Sequence, residues 1–255
     1  MGWTQLIGLG RRAKTERTHR VPDDRRIYVI GDIHGRADLL ARLHADIAAD
    51  AAKAAGGRTK VVVYLGDYVD RGLQSFEVLE TLIHEPRQGF ESVHLRGNHE
   101  DLMLKFLDAP RDATWIYNGG DATLASYGVL ISSMMMLPAD LAELSARLAE
   151  ALPAEHRAFL NGLDYVHVEG DYLFVHAGLR PGVPLAAQRH TDMMWIRDRF
   201  LSSDADFGRR VVHGHSIRTD PDVRSNRIGI DTGAYATGRL TCLVLDGSEQ
   251  WFIQT

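Results

Sequence analysis

Short apolar runs alternate along the first hundred residues with longer stretches in which hydrophobic side chains return every three or four positions. Residues 27–30 read as a strand, and 37–54 as a helix, because Leu39, Leu40, Leu43 and Ile47 fall on one face. The unbroken Val61-Val62-Val63-Tyr64-Leu65 within 60–65 is the pattern of a strand covered on both sides. Residues 75–84 predict the next helix and 91–95 a third strand. Such βαβ alternation feeds a largely parallel sheet.

The pattern then changes. Residues 101–163 are rich in Ala, Leu, Met and Glu and are broken at Gly119-Gly120, Gly128, Pro138 and Pro153, which predicts short helices. They carry too little apolar surface for a core of their own, so they read as a helical insertion beside the site. Met134-Met135-Met136 reads as filling between helices, and the glycines as helix ends, since no Gly-rich loop runs into Lys-Ser or Lys-Thr. Strand signals resume at 165–168 and 172–175, a hairpin about Glu169-Gly170-Asp171, and again at 210–212, 227–230, 239–245 and 250–253. A strand-rich second half predicts two sheets face to face with helices outside.

At 255 residues the chain suits one α/β domain with a large core. Residues 1–25 are rich in Arg, Lys and Gly and read as a flexible basic tail before a single domain over 26–255. The formal charge of −5 offers no broad basic face for nucleic acid. No apolar run approaches the roughly 18 residues of a membrane span, and no secretory leader pattern opens the chain. Cys242, the one cysteine, lies in an apolar run and reads as a buried thiol, consistent with a reducing compartment. A cytoplasmic protein without membrane or nucleic-acid partners is expected.

Five polar clusters each follow an apolar run: Gly31-Asp32-Ile33-His34-Gly35, Gly66-Asp67-Tyr68-Val69-Asp70-Arg71-Gly72, Gly97-Asn98-His99-Glu100, Val175-His176-Ala177-Gly178 and His213-Gly214-His215. The first three begin near strand C-termini, which in an open α/β sheet share one rim. Asp32 and His34, two positions apart, can grip one ion together. Asp67 can give one carboxylate oxygen to each of two ions about 3.5 to 4 Å apart. Asn98, His176 and His215 would complete the set of ligands on the second ion. Mixed imidazole and carboxylate donors suit Mn first, with Fe or Zn as alternatives, over Mg or Ca.

Two divalent ions, Asp32, Asp67 and one hydroxide leave the centre near +1, a charge that draws in a phosphate monoester. The clusters offer no further carboxylate in the first shell. Arg71 can bind phosphate oxygens through its planar fork. His99 can protonate the leaving group, with Asp70 fixing its tautomer.

These motifs resemble those of the calcineurin-like metallophosphoesterases, and within them the bacterial and phage serine/threonine protein phosphatases, over roughly residues 27–245. The resemblance implies a four-layer α/β/β/α sandwich with two mixed sheets. It places Asp32, His34 and Asp67 on the first metal and Asp67, Asn98, His176 and His215 on the second. It likewise makes Arg71 a phosphate ligand, His99 the general acid and Asp70 its partner, and matches Arg197, in Trp195-Ile196-Arg197, to a second phosphate-binding arginine. Gly214-His215-Ser216-Ile217 lacks the second histidine of the wider Gly-His-x-His pattern, as in the phosphoprotein phosphatases, and His213 should point away from the metal.

Tyr235 and Trp195 are candidate rim residues. The expected substrate is a phosphoprotein or phosphopeptide, extending to small phosphomonoesters. Symmetric diadenosine tetraphosphate or another nucleotide polyphosphate is the alternative substrate. A metal-stabilised scaffold with lapsed catalysis is the alternative from outside enzymology.

Overall fold

Alternation along each strand divides the apolar residues between two faces, and this division sets the layers. The computed structural model describes residues 18–53, 57–85, 88–131 and 137–255. Its first half runs β1 (Arg25–Ile30), α1 (Ala37–Lys53), β2 (Thr59–Tyr64), α2 (Ser75–His84), β3 (Phe90–His94) and α3 (Asn98–Asp108). A wide turn over Ile116–Gly120 leads into α4 (Asp121–Ser126), followed by α5 (Pro138–Ala151) and α6 (Ala154–Asn161). The second half runs β4 (Val166–Glu169), β5 (Tyr172–Val175), α7 (His190–Trp195), α8 (Asp198–Leu201), β6 (Arg210–His213) and β7 (Asp222–Val223). It ends with β8 (Arg227–Gly229), α9 (Ala234–Thr237), β9 (Thr241–Asp246) and β10 (Glu249–Gln254).

Two mixed sheets result, in the orders β10-β9-β1-β2-β3 and β4-β5-β6-β8-β7. β1, β2 and β3 are parallel, as are β5, β6 and β8, so six strand ends can serve a common rim. Ile27, Val29, Val61, Val63, Leu243 and Leu245 face Tyr172, Phe174, Val212 and Ile228 in the core between the sheets. The alternate residues Tyr28, Ile30, Val62, Tyr64 and Val244 face outward onto Leu40, Leu43 and Ile47 of α1 and Val78 and Leu79 of α2. Leu173, Val175 and Val211 face the other way, onto Met193, Ile196 and Phe200. The layers are therefore helix, sheet, sheet, helix, as the resemblance implied. Each fully buried Val, Leu or Ile contributes about 1.5 to 3 kcal/mol.

The insertion shares the first sheet's outer core. Phe106, Trp115, Leu124, Leu144, Leu148 and Leu160 belong to the same buried cluster as Leu40 and Val62. Gly119 and Gly128 take positive φ at helix ends. Val21, within the stretch read as tail, is buried between the sheets and donates its N–H to Gly247 O at 3.0 Å. The rest of that stretch, residues 1–17, and Met134-Met135-Met136 lie outside the described residues. Cys242 is buried. Among the described residues no helix is long and apolar enough to cross a membrane.

Candidate metal centre

The five clusters meet at the rim because each follows a strand whose neighbours end at the same level. Gly31–Gly35 continues β1, 66–72 continues β2, Asn98 opens α3 just after β3, His176 follows β5, and His215 follows β6. The chain turns back sharply at these ends. His34, Asp67, Asp70, Arg71 and His215 all have positive φ, between 47° and 75°. Left-handed backbone at five non-glycine positions costs energy that the surrounding hydrogen bonds must hold, and it aims the side chains inward. Gly97 and Gly214 are required by close approach: a Cβ on either would strike Oδ1 of Asp67 or of Asp32.

Asp67 is buried at the middle of the cluster. Its Oδ1 lies 3.4 Å from His176 Nε2, and its Oδ2 lies 3.4 Å from His34 Nε2 and 3.9 Å from His99 Nε2. The two oxygens thus face two separate sets of nitrogen atoms.

The tautomers follow from the outer hydrogen bonds. His34 Nδ1–H donates to Val69 O and His176 Nδ1–H to Leu65 O, each at 2.9 Å, which leaves both Nε2 lone pairs turned inward. His176 Nε2 then stands 3.0 Å from Asn98 Oδ1 and 3.2 Å from His215 Nδ1. Burial lowers the pKa of His34 to about 3 and of His215 to about 2, so these imidazoles are neutral near pH 7. Burial, together with Asp231 and Asp67, raises Asp32 well above the usual carboxylate range. Lone pairs converge at 3.0 to 3.4 Å beside buried carboxyl groups, an arrangement that could hold a cation between them. The donor set fits first-row divalent metals. His34, Asp67 and His99, and separately Asp67, His176 and His215, bring their donor atoms within 4.8 Å of one another.

His99 stands on the first turn of α3 and is buried. Its Nδ1 lies 2.7 Å from Asp70 Oδ2. Burial opposes its charging, but Asp67 and the Asp70 hydrogen bond outweigh this and raise its pKa above the usual imidazole value. The Arg71 guanidinium nitrogens lie 3.0 Å from His34 Nε2 and 3.2 Å from His99 Nε2. Tyr235 lies under that guanidinium at 4.8 Å and packs edge-on to His34 at 5.5 Å. Trp195 packs edge-on to His215 at 6.2 Å. Arg197 is exposed at the start of α8 and adds positive potential at His176 and His215. The ring of His213 lies against Phe200, on the second sheet's outer side.

Two residues beside the site have roles that the motif reading did not assign. Glu100 accepts the N–H groups of Asp67 at 2.9 Å, Tyr68 at 2.7 Å and Gly97 at 2.9 Å, which holds the loop that carries Asp67. Its signal was its place three residues after Gly97, where an acidic side chain caps a helix. Asp231, directly after buried Ile230, pairs with Asp32, and burial raises it to about 6. The charge count from the clusters alone therefore omits one buried carboxyl group.

A cluster of this kind on a double-sheet α/β scaffold defines a metal-dependent phosphoesterase. The family model for calcineurin-like phosphoesterases matches residues 25–237, and the chain belongs to that family, whose members use divalent metals. The chain is 28% identical over 228 residues to serine/threonine-protein phosphatase 2 of Escherichia coli K12, covering 85% of this chain and 91% of that one. It is 25% identical over 230 residues to an asymmetrical bis(5'-nucleosyl)-tetraphosphatase of Bacillus mycoides, covering 84% and 88%. The structure of a serine/threonine phosphatase from Saccharomyces cerevisiae with similarity to human PP5 matches with TM-score 0.54 at 17% identity, covering 91% and 80%, which speaks to fold alone. The chain is thus a metallophosphoesterase and a hydrolase.

Proposed function

We propose that the chain is a phosphomonoesterase acting on phosphoserine and phosphothreonine in proteins, with two Mn ions and with Fe or Zn as substitutes. The observation that carries this reading is the Asp67 carboxylate, whose two oxygens face separate nitrogen sets on either side. Asp32, His34 and Asp67 would hold one ion, and Asp67, Asn98, His176 and His215 the other. When bound, such a pair supplies a water of lowered pKa and electrophilic assistance at phosphorus.

The remaining work falls to this chain's own side chains. The Arg71 guanidinium, already aimed at the centre, transfers its N–H groups to phosphoryl oxygens, and Arg197 approaches from the opposite rim. His99 gives the proton on Nε2 to the departing ester oxygen as the P–O bond breaks, while Nδ1–H stays on Asp70. A protonated His99 suits that donation, in keeping with its raised pKa. Trp195, Ile217 and Tyr235, between 36% and 45% exposed, form an open apolar rim suited to an extended peptide.

Nucleotide polyphosphate hydrolysis is the second reading, supported by the tetraphosphatase relative. The intact His99–Asp70 pair weighs against a lapsed scaffold. We place the activity in the cytoplasm, in keeping with the buried thiol of Cys242.

Rates on a phosphothreonine peptide, p-nitrophenyl phosphate, a cyclic phosphodiester and diadenosine tetraphosphate, with and without Mn, test this proposal. Peptide and monoester turnover that requires Mn is expected. Selective cleavage of the tetraphosphate would replace the first reading with the second.

A further inference from the structure

The Asp70 carboxylate has three donors, and two of them come from the helical insertion. Trp115 Nε1–H lies 3.1 and 3.0 Å from its two oxygens, and Thr123 Oγ1–H lies 2.7 Å from Oδ1. His99 is the third donor, at 2.7 Å on Oδ2. Thr123 Oγ1 also accepts the Asp70 N–H at 2.8 Å and meets Ser75 Oγ at 2.9 Å, so one hydroxyl grips both backbone and side chain of the same residue. All of these groups are buried.

The turn between Trp115 and Thr123 is shaped for this contact. Gly120 leaves room for the Trp115 indole, which a Cβ there would strike. Gly119, at φ 104°, accepts the Arg71 N–H on its carbonyl at 3.0 Å and brings its own backbone against Arg71. Asp70 and Arg71 are consecutive residues in left-handed backbone, at φ 75° and 70°, a conformation that needs external support. A carboxylate held by His99 alone could rotate about its Cβ–Cγ bond. With three donors spread over its two oxygens, it cannot turn without losing hydrogen bonds.

We propose that Trp115 and Thr123 are positioning residues that hold the Asp70 carboxylate against His99 and so set the direction in which the imidazole presents its proton. This rests on the reading of His99 as the acid. The insertion then acts as the back wall of the catalytic pair as well as packing on the first sheet.

Thr123→Val keeps the shape and removes the hydroxyl, Thr123→Ser restores it, and Trp115→Phe removes the indole donor. Turnover of phenyl phosphate, whose leaving group needs a proton, is compared with that of p-nitrophenyl phosphate, whose leaving group needs it far less. Thr123→Val and Trp115→Phe should each lower kcat on phenyl phosphate about tenfold, with a much smaller loss on the nitrophenyl ester and KM unchanged. Thr123→Ser should match the parent protein, and Thr123→Val should add nothing in a His99→Asn background. Equal losses on both esters, no loss, or an undiminished loss in the His99→Asn background would overturn the proposal.

Proton NMR of the Zn-loaded protein gives a readout independent of turnover. The His99 Nδ1–H should exchange slowly in the parent protein and faster in Thr123→Val. If the parent protein hydrolyses neither ester, the functional reading fails, but the exchange rates still decide whether Thr123 holds the pair. Unchanged exchange, or no observable His99 Nδ1–H in the parent protein, would refute it.

Discussion

The carboxylate of Glu100 accepts the amide N–H of Asp67 at 2.9 Å, so the first turn of α3 holds the loop that presents the central carboxylate. The same side chain also takes N–H groups from Tyr68 and Gly97, and Asp67 itself sits at φ 53°. Glu100→Gln places an NH2 group against those donors. Hydrogen bonds to a charged acceptor contribute about 1.5 to 3 kcal/mol each, so the variant should lose about 2 kcal/mol of stability in urea unfolding. Its Mn affinity should fall as well, measured by titration calorimetry. Unchanged affinity would show that the loop holds its shape without Glu100.

Gly97 controls the same carboxylate by leaving space for it. Gly97→Ala sets a methyl group where Asp67 Oδ1 lies and 2.5 Å from the backbone N of Asp67, and the second contact cannot relax by rotating a side chain. Metal content, read by mass spectrometry after dialysis, should drop below one ion per chain while circular dichroism stays native. Full occupancy would mean that Asp67 adapts.

His99→Asn separates acid catalysis from metal binding. Asn keeps the fold of the α3 turn but has no proton to give at the position of Nε2. The kcat on phenyl phosphate should fall about 100- to 1,000-fold with metal content nearly unchanged. Equal turnover across a matched pH series would remove His99 from the acid role.

Acid sensitivity of folding should trace in part to His94, which stacks on Tyr64 at 4.9 Å and packs edge-on to Tyr68 at 6.5 Å. Burial lowers its pKa to about 4. As pH falls below about 6.5, the unfolded chain takes up a proton that the native state refuses. Stability must therefore decline through that window and stop declining, for this group, below its native pKa. One such proton gives a slope of about 1.4 kcal/mol per pH unit. His94→Phe should flatten urea-unfolding stability between pH 6 and 4.5 by about that slope; parallel curves would assign the sensitivity elsewhere.

The strands and the rim were legible because they rest on short-range patterns. The unbroken apolar run in 60–65 and the position of each cluster after an apolar run pointed to one rim, where the donor atoms of His34, Asp67, His176 and His215 gather. Strand ends shifted by a residue or two, as at β2, which runs Thr59–Tyr64. The short α7, α8 and α9 and the two-residue β7 were not anticipated, since four to six residues carry no readable period. Partners set by long returns of the chain were hidden too. Trp115 and Thr123 reach Asp70 across 45 and 53 residues, and Asp231 meets Asp32 only because β8 returns beside β6.

Anomalous scattering from crystals grown in excess Mn tests the central claim most directly. Two peaks flanking the Asp67 carboxylate are expected, one beside His34 and Asp32 and the other beside His176, His215 and Asn98. A single peak, or Asp67 turned away with the imidazoles unligated, would contradict the dinuclear account.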